Sequence, residues 1–484
     1  MGRGADVRAC PLRHLALEYS DHIIIQEGAQ SYSAVLLDTW VTQYQKAMEA
    51  QGVVVGDRVV VLALDSLDTI LLMIACMRSC VIFCPVDPKS LGSHIHNYCL
   101  LIKAKWLCQI LEVFDDQYAG CHYLHLPIRT VVPLTSVEPV IIDPEIIMDL
   151  IATSGTTNAP KAVAHNFSNY YHSVAGAKDI LALGSQDAWL LSLPLFHVSG
   201  VAIVFRCLLA GAKIIIYDKS KGLLSNLLQT TVTHLSLVHT QLYRLLELES
   251  VDFRTLGVRN ILLGGGMVSG DLVKKAQRNG VRVITTYGLT EMSSQVCAGT
   301  PQFVGASVSS GSILKYRELM FNNKGDIMVR GKTLAMGYYR NGYLQKITDN
   351  QGWYHTGDKG QWYGDQILIK GRSDNMIVFK GENIHPEEIE QVLMELPGIV
   401  QAVVVGVDSV EFGQIPIAYV QSRNGTLDEL VIKQQLVRRI AHFKIPFSIV
   451  LFPEIDTSSG IKLSRRLFQK FAEKQFPVAE VANP

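Results

Sequence analysis

Short runs of β-branched and other apolar residues recur along the N-terminal part of the chain, separated by segments long enough to form helices. The runs span Arg58 to Ala63, Cys80 to Pro85, Ala188 to Leu193, Lys213 to Tyr217, His234 to Val238, Asn260 to Leu263 and Arg282 to Thr286. Several are apolar throughout, which is typical of strands covered on both faces, and the intervening segments suit crossover helices. The sequence therefore predicts a layered α/β body.

The pattern changes after Gly311 to strands with polar residues and tight turns. One turn, Asn322 to Gly325, precedes an apolar run, and a second turn, Tyr363 to Asp365, precedes another. Turn residues of this kind between short apolar runs predict antiparallel hairpins.

The C-terminal part of the chain forms a third pattern, which begins near Asp374. Its predicted elements are a helix from Pro386 with Glu387 and Glu388 in the first turn, strands Ala402 to Val407 and Ile415 to Gln421, and a helix from Leu427 to His442. Acidic residues in a first turn are favoured by the helix dipole. We expect a large domain, residues 1–373, and a small α+β domain, residues 374–484, whose short joint favours hinge rotation.

Composition excludes several classes of function. Lys and Arg total 44, as do Asp and Glu, so no general field would attract nucleic acid or an anionic membrane. The apolar span Thr69 to Val86 contains Arg78 and is typical of a buried helix and strand, and the N-terminus lacks the apolar stretch of a secretory signal. Nine cysteines without a Cys-x-x-Cys pair or zinc spacing indicate reduced thiols and a cytoplasmic protein.

The run from Thr153 to Lys161 reads Thr-Ser-Gly-Thr-Thr-Asn-Ala-Pro-Lys and directly follows an apolar stretch. Small residues allow backbone N–H groups to reach an oxyanion, hydroxyls add neutral donors, and Lys161 supplies a charge. Ala162 follows the lysine, so the loop lacks the Ser or Thr that completes a Walker motif. The run predicts a phosphate-binding loop of another kind, although a Ser/Thr-rich surface turn has the same composition.

Further motifs follow in a fixed order. They are Leu193 to Gly200 with His197, Gly264 to Gly266, Tyr287 to Glu291, Tyr354 to Asp358, Gly371 to Asp374, and Gly460 to Arg465 with Lys462. Together they resemble the adenylate-forming superfamily of acyl-CoA ligases, luciferases and peptide-synthetase adenylation domains, over roughly residues 30 to 470. Within it, Trp189 to Gly200, Val238 to Leu246 and Gly460 to Arg465 look like the o-succinylbenzoate-CoA ligases of menaquinone biosynthesis.

The resemblance implies a large adenylate-forming domain of α/β subdomains with a small β-barrel-like part, and a small mobile C-terminal domain. It implies a ligase that uses ATP, Mg²⁺ and CoA: an acid attacks the α-phosphate to give an acyl-adenylate, and CoA then displaces AMP. The nucleotide-binding residues it implies are Thr153, Ser154, Gly155, Thr156, Thr157, Lys161, Gly264, Gly265, Gly266, Tyr287, Gly288, Asp358 and Arg372. Lys462 and Thr290 would be catalytic, and Glu291 would be the magnesium-associated acid.

The remaining roles concern the acid and CoA. By resemblance, His197 gates the acid pocket and assists catalysis, and Arg206 binds a second carboxylate of the acid. Gly381 would let the pantetheine of CoA pass close to the backbone, and Asp374 would be the hinge. A structural histidine and a structural salt bridge are the competing interpretations of His197 and Arg206.

The chain departs from the family pattern at Asn158 and Ala162, where Gly is usual, and residues 103–132 receive no role. Asn tolerates left-handed dihedrals, so the change at Asn158 is mild. Two alternatives stay open: a ligase for another aryl or medium-chain fatty acid, and a non-catalytic acyl- or nucleotide-binding homologue. The expected partners are small molecules, with no nucleic acid and no membrane insertion, and a homodimer is expected on size alone.

Overall fold

The computed structural model describes residues 8–90, 92–110, 120–131, 138–153, 161–248, 251–266, 268–305, 307–379, 382–409, 412–453 and 465–477. The strands are β1 (Ile23–Glu27), β2 (Gln30–Ser33), β3 (Arg58–Leu62), β4 (Ile82–Val86), β5 (Trp106–Gln109), β6 (His122–Tyr123), β7 (Ile147–Thr153), β8 (Lys161–Asn166), β9 (Ala188–Leu191), β10 (Lys213–Ile216), β11 (His234–Leu237), β12 (Asn260–Leu263), β13 (Arg282–Leu289), β14 (Ser294–Gly299), β15 (Phe303–Val304), β16 (Ser307–Val308), β17 (Ser312–Ile313), β18 (Arg317–Phe321), β19 (Asp326–Gly331), β20 (Gly337–Arg340), β21 (Tyr343–Gln345), β22 (Tyr354–Tyr363), β23 (Gln366–Arg372), β24 (Ile377–Phe379), β25 (Glu382–Ile384), β26 (Ile399–Ser409), β27 (Gly413–Ser422) and β28 (Ser448–Leu451).

The α-helices are α1 (Pro11–Glu18), α2 (Ala34–Ala50), α3 (Leu67–Arg78), α4 (Gly92–Ile102), α5 (Phe167–Leu181), α6 (Val198–Ala210), α7 (Gly222–Gln229), α8 (His239–Tyr243), α9 (Gly270–Arg278), α10 (Pro386–Met394), α11 (Glu429–Val437) and α12 (Arg465–Gln475). Short 3-10 turns cover Thr290–Met292, Ser373–Asn375 and His442–Lys444, and a π-helical turn covers Arg244–Leu248.

A nine-stranded sheet forms one half of the large domain, in the order β17-β14-β13-β12-β11-β9-β10-β1-β2. Its central strands β13, β12, β11, β9 and β10 pair in parallel, with helices in the crossovers between them. The predicted parallel α/β body is therefore confirmed for this sheet. Because the strands run in one direction, the loops that follow them meet at one edge, where ligands bind in open α/β sheets.

An eight-stranded sheet forms the other half, in the order β21-β20-β8-β7-β4-β3-β5-β6. The predicted phosphate loop connects the antiparallel strands β7 and β8, with Thr153 opposite Lys161. The loop therefore joins two strands of a hairpin instead of leading into a helix, which separates it structurally from a Walker loop.

The main hydrophobic core lies between the two large sheets and the helices that pack on them. Its largest fully buried side chains include Trp189, Phe167, Phe205 and Tyr170. Helix α3 is buried at every position except Asp68, and Ser66 caps its start by accepting from the Thr69 N–H. Together with β4 it accounts for the apolar span Thr69 to Val86, as the sequence predicted.

The predicted hairpins form a four-stranded antiparallel sheet, β18-β19-β22-β23. In the first turn, the Asn322 side-chain oxygen accepts from the backbone N–H groups of Lys324 and Asp326. In the second, Tyr363 pairs with Gln366 across the turn. This sheet places Asp358 and Arg372 directly opposite each other on β22 and β23.

The small C-terminal part contains a sheet in the order β25-β24-β27-β26, with β28 paired to β27, and helices α10 to α12. Its two hydrophobic clusters consist of residues from Ile377 onward, whereas the buried clusters of the large part end before Arg372. Separate cores support the predicted boundary at Asp374, which stays a prediction.

One helix differs from its prediction. The helix expected to run from Leu427 to His442 spans Glu429–Val437. Asp428 caps its start by accepting from the Val431 N–H. After Val437 the Arg439 N–H donates to the Leu436 carbonyl three residues back, a tighter turn than the α-helical one, and Ile440 packs on the core.

Candidate active site

Four loops meet at the carboxyl edge of the nine-stranded sheet, each following a parallel strand. They carry His197 after β9, His239 after β11, Gly264–Gly266 after β12 and the Tyr287–Glu291 motif at the end of β13. The sequence motifs therefore converge although they are far apart along the chain.

Tyr287, Asp358 and Arg372 form one hydrogen-bonded cluster at this edge. The Tyr287 hydroxyl donates to Asp358 Oδ2 over 2.6 Å, and Arg372 Nη1 donates to Asp358 Oδ1 over 3.2 Å. Arg372 also bonds Asp374 at 2.7 Å. The hydrogen bond to Asp374 raises the pKa of Arg372, and burial followed by the Asp358 charge raises that of Tyr287. The cluster joins three predicted nucleotide residues to the predicted hinge.

Two glycine positions allow backbone segments to approach each other closely beside this cluster. A Cβ on Gly264 would lie 2.7 Å from Thr286 Cγ2, and one on Gly288 would overlap the Ser294 carbonyl. A larger residue would push apart the β12 loop and the end of β13. Gly265 has a φ of +84°, a backbone conformation that favours glycine, and Gly266 is open on the side where a Cβ would lie.

Glu291 is held by Tyr338, a residue that the sequence analysis did not identify. The Tyr338 hydroxyl donates to Glu291 Oε1 over 2.7 Å and lies 3.0 Å from the Tyr354 hydroxyl. The Lys161 ammonium lies 4.8 Å from the centroid of the Tyr338 ring, within cation–π range. Strand β20 brings Tyr338 here by pairing with β8, a long-range contact without a sequence signal. Burial, and next the Glu291 charge, raise the pKa of Tyr338.

Thr290 begins the 3-10 turn after β13, and its carbonyl oxygen lies 2.7 Å from His165 Nε2. His165 follows Lys161 in β8 and was also missed by sequence reasoning. The structure places Thr153 and Lys161 at the two ends of the predicted phosphate loop. Four other predicted residues of that loop lie outside the described residues: Ser154, Gly155, Thr156 and Thr157.

His197 directly precedes α6, and its ring lies 4.7 Å from that of Phe196. The chain reaches this position by a tight turn in which the His197 N–H donates to the Pro194 carbonyl. A Cβ on Gly200 would overlap the same carbonyl, so glycine is required for the turn to pack.

Arg206 lies in the same helix and is 3% exposed. One terminal nitrogen donates to Gln295 Oε1 at 2.8 Å and to Ser294 Oγ at 3.1 Å, and the guanidinium lies 5.4 Å from the centroid of the Trp189 ring. In the described parts of the chain no carboxylate lies within ion-pair distance of it. Burial lowers the pKa of Arg206 to about 10. The structural salt bridge considered for Arg206 is therefore not found there.

The residues that Arg206 contacts adjoin the adenylate motif. Gln295 pairs with Gly288 and Ser294 pairs with Leu289 across β13 and β14. The guanidinium therefore lies beside the Tyr287–Glu291 segment, although no hydrogen bond joins Arg206 to His197 in the part of the chain that is described.

Two predicted residues of the small domain, Lys462 and Gly381, lie outside the described residues. Arg465, three residues after Lys462, begins α12 and forms ion pairs with Glu390 and, at 3.2 Å, with Glu387. Glu387 also accepts from the Asn375 side chain over 2.6 Å. A chain of polar contacts therefore links Asn375, which follows Asp374, to Arg465, the last residue of the Gly460 to Arg465 motif.

Among the residues that the structure covers, no group of three or more His, Cys, Asp or Glu side chains could hold a metal ion. Glu291 is a single hard oxygen donor beside a loop predicted to bind phosphates. Magnesium is typically held by one or two carboxylates together with water and phosphate oxygens. The donor set thus fits a magnesium ion that arrives with a nucleotide.

The fold and this arrangement define an adenylate-forming enzyme. Residues 12–339 match the family model described as AMP-binding enzyme, and residues 388–460 match the model of the AMP-binding enzyme C-terminal domain. The chain belongs to the AMP-binding enzyme family, as its motifs indicated.

Particular relatives narrow the comparison. The chain is 30% identical over 465 residues to the 2-succinylbenzoate–CoA ligase of Escherichia coli K12, covering 96% of this chain and 98% of the relative. A solved structure of Escherichia coli MenE with bound OSB-AMS is 28% identical, with a TM-score of 0.85 over 96% of this chain and 99% of that one. Bacillus subtilis MenE in complex with ATP and magnesium shares the fold, with a TM-score of 0.84 at 24% identity, over 96% of this chain and 99% of that one.

All nine cysteines lie in described residues, and none forms a disulfide. Across the described ranges, no helix combines the length and the apolar character that a bilayer crossing requires.

Proposed function

We propose that this enzyme joins 2-succinylbenzoate to CoA in two half-reactions at one site. A carboxylate oxygen of the acid bonds to the α-phosphorus of ATP while the bond to pyrophosphate breaks. The CoA sulfur then bonds to the acyl carbon, AMP leaves and the thiol proton is released. Family membership and the similarity to 2-succinylbenzoate–CoA ligases support this reaction. By resemblance, it belongs to menaquinone biosynthesis.

The observation that carries the substrate assignment is Arg206. A guanidinium that is 3% exposed, with no carboxylate beside it in the described part of the chain, sits next to the adenylate motif. 2-Succinylbenzoate keeps one carboxylate when the other reacts, and that group can bind a guanidinium through two hydrogen bonds. A fatty acid or a simple aryl acid would leave the buried charge without a partner, which is costly.

The nucleotide would lie between the β12 loop and the Tyr287 cluster. Tyr287 would offer its ring face to adenine, and Gly264–Gly266 and Gly288 would allow close backbone approach. Asp358 would accept from the ribose hydroxyls, with Arg372 as a further donor to the sugar. The loop from Thr153 to Lys161 would hold the phosphates.

Two anions meet in the first half-reaction, so positive charge and donors are needed around the α-phosphate. Thr290 would donate to this phosphate, and Lys462 would bridge phosphate and carboxylate oxygens. Glu291 would hold Mg²⁺, which when bound neutralises phosphate charge. His197 would gate the acid pocket beside the reacting carboxylate.

The second half-reaction requires a different arrangement of the small domain. Rotation at Asp374 would carry residues 374–484 relative to residues 1–373, withdrawing Lys462 and bringing Gly381 toward the acyl-adenylate. Arg372 bonds Asp374, so the hinge is in contact with the proposed ribose site. The nine free thiols favour a cytoplasmic location. We also propose that the enzyme is a homodimer, and light scattering tests its oligomeric state.

The reaction is tested by measuring CoA-dependent AMP formation from ATP, Mg²⁺ and a panel of acids: 2-succinylbenzoate, benzoate, a cinnamate and octanoate. Selective turnover of 2-succinylbenzoate is expected. Selective turnover of another acid would retain the ligase and refute the substrate. No turnover of any acid would favour a non-catalytic homologue.

Lys462→Ala should lower acyl-adenylate formation by about 100-fold or more, because it removes the charge that stabilises the transition state. Thiolation of a supplied acyl-adenylate should be nearly unchanged. Lys470→Ala removes an exposed lysine of α12 and serves as the control. Equal loss of both half-reactions in Lys462→Ala would refute the role of this lysine.

A further inference from the structure

His165 occupies a fully buried position between two acceptors. Its Nδ1 lies 2.7 Å from Asp149 Oδ1, and its Nε2 lies 2.7 Å from the Thr290 carbonyl oxygen. Both side chains of the Asp149–His165 pair are 0% exposed. A carbonyl oxygen can only accept, so Nε2 must carry a hydrogen, and an ionised Asp149 requires a hydrogen on Nδ1 as well.

The electrostatics agree with this arrangement. Burial alone lowers the pKa of His165, but the charge and hydrogen bond of Asp149, and then the Thr290 carbonyl, raise it above the ordinary value. The two acceptors therefore favour the protonated form of the His165 ring. The Tyr170 ring, 5.3 Å from that of His165, packs against one side.

The pair connects the two sheets at the site. Asp149 and His165 are cross-strand neighbours on β7 and β8, the hairpin whose turn is the predicted phosphate loop. Thr290 belongs to the turn that follows β13 of the other sheet. The hydrogen bond from His165 to Thr290 thus fixes the distance between the two elements that would hold the phosphates.

This bond also sets the direction of Thr290 and Glu291. The peptide group that follows Thr290 is planar, so a fixed carbonyl oxygen fixes the N–H of Glu291 as well. On the far side, the Glu291 carbonyl accepts from the Ala335 N–H, and the Ala164 carbonyl accepts from the Met336 N–H. Thr290 and Glu291 are therefore held between β8 and the segment that leads into β20.

We propose that Asp149 and His165 are positioning residues that hold Thr290 and Glu291 in register with the phosphate loop for adenylation. The pair touches no substrate, and the proposal rests on the proposed function. A misplacement of about 1 Å in such a site can lower a rate by about 100-fold. Thiolation depends less on this register, because pyrophosphate has left and only the α-phosphate, now part of the acyl-adenylate, remains for Thr290 to contact.

Two amide substitutions separate positioning from mere structural support. In His165→Asn the side-chain amide can replace Nδ1 and contact Asp149, but it does not reach Thr290. In His165→Gln the amide nitrogen can occupy the place of Nε2 and donate to Thr290. We expect His165→Asn to lower kcat for adenylation by about 100-fold, with little change in the KM of the acid. His165→Gln should restore adenylation to within about ten-fold of the wild-type rate.

His234→Asn is the matched control. His234 is also a strand histidine, 1% exposed, and its Nε2 lies 3.0 Å from the Leu181 carbonyl. Its ring packs on that of Trp189 at 5.2 Å, and none of its contacts among the described residues is with Thr290 or Glu291. It should lose stability on substitution but keep both half-reactions. If His165→Asn and His234→Asn have equal adenylation rates, or if His165→Asn lowers thiolation of a supplied acyl-adenylate as much as adenylation, the proposal is overturned.

Asp149→Asn provides a second variant should His165→Asn fail to fold. The side-chain amide that this substitution introduces can donate to Nδ1 of a neutral ring, which keeps its Nε2 hydrogen on Thr290. Asp149→Asn and His165→Gln are then both expected within about ten-fold of wild-type adenylation. A loss of about 100-fold in either, with thiolation intact, would mean that charge and not position matters, and would refute the proposal.

The outcome is distinct from failure of the proposed function. If another acid is the substrate, the half-reactions are measured with that acid, because the phosphate geometry is the same. If no acid is adenylated, binding of ATP with Mg²⁺ becomes the readout. His165→Asn should then weaken binding relative to His234→Asn, and equal binding would overturn the role of the pair.

Discussion

Two arginines, one in the large N-terminal part of the chain and one in the small C-terminal part, have opposite surroundings. Arg465 at the start of α12 pairs with the carboxylates of Glu387 and Glu390, which raise its pKa although burial lowers it. Arg206 in α6 has an amide oxygen, a hydroxyl and an indole ring beside it, and burial lowers its pKa to about 10. The first charge is paired within the protein, whereas the second is the one that we propose binds the acid.

The same contrast separates two buried histidines. His165 has Asp149 beside it, and its pKa is raised. His239 at the start of α8 has no hydrogen-bond partner for either ring nitrogen among the described residues, and burial lowers its pKa to about 4. A buried base with a carboxylate is a structural element, whereas one without a carboxylate must be neutral or have a ligand.

The largest expected effect is on the stability of the small domain. Arg465→Leu leaves the side chains of Glu387 and Glu390, each 11% exposed, without their cation. We expect the small domain to lose about 3 kcal/mol of stability, the low end for breaking a buried pair, because Arg465 itself is 25% exposed. Lys470→Leu, an exposed change on α12, is the control.

Urea unfolding followed by two signals measures this loss. All five tryptophans precede Asp374, so their fluorescence reports only on the large domain. The transition seen by far-ultraviolet circular dichroism should move to lower urea for Arg465→Leu, while the fluorescence transition stays in place. If both transitions shift together, the ion pairs support the whole molecule and the local role of Arg465 is wrong.

Arg206→Leu should leave stability intact and change substrate use. We expect kcat/KM for 2-succinylbenzoate to fall by about 100-fold, because the remaining carboxylate loses its charged partner. Binding of ATP should be unchanged, since Tyr287, Asp358 and Arg372 form a separate cluster. Unchanged kinetics for 2-succinylbenzoate would show that Arg206 does not recognise the acid. The difference between the surroundings of Arg206 and Arg465 would then have no relation to substrate binding.

Sequence reasoning located the residues at strand ends because each belongs to a local motif. His197, Tyr287 and Asp358 lie in runs whose order is specific. The parallel strands β9 and β13 bring His197 and Tyr287 to one edge, and the antiparallel strand β22 brings Asp358 to Tyr287. The fold class follows from the same periodic runs of apolar residues. Local patterns thus predicted the architecture, whereas the roles of the motif residues stay predictions.

Long-range pairing explains what sequence reasoning missed. Tyr338 reaches Glu291 only because β20 pairs with β8, and His165 reaches Thr290 only because the two large sheets are adjacent. The end of α11 was also misplaced, because the chain tightens after Val437 into a turn closed by the Arg439 N–H, where local propensity alone would continue the helix. Whether Arg206 has a carboxylate beside it likewise depends on α6 and β14, which are distant in sequence.

The smallest effect is a pH dependence of stability that follows from the histidine contrast. Because the folded pKa of His239, about 4, lies below the ordinary 6.5, the unfolded chain binds a proton that the folded chain does not. Its contribution to stability is therefore complete above pH 6.5 and is lost as the pH falls toward 4. His165 has the opposite sign: its raised pKa adds stability at low pH that disappears as the pH rises through the folded value.

His239→Leu removes the pH-dependent contribution of His239 to stability and leaves that of His165. At neutral pH the variant should be as stable as the wild type or slightly more stable, since two unpaired ring nitrogens are lost from the interior. Near pH 5.5 the variant should be more stable by on the order of 1 kcal/mol, measured as the difference in urea unfolding by tryptophan fluorescence. Parallel stability curves for the two proteins would mean that His239 acquires a proton in the folded state. In that case a carboxylate or solvent would face the His239 ring. The comparison of His239 with Arg206, as two buried bases that have no carboxylate beside them, would then be wrong.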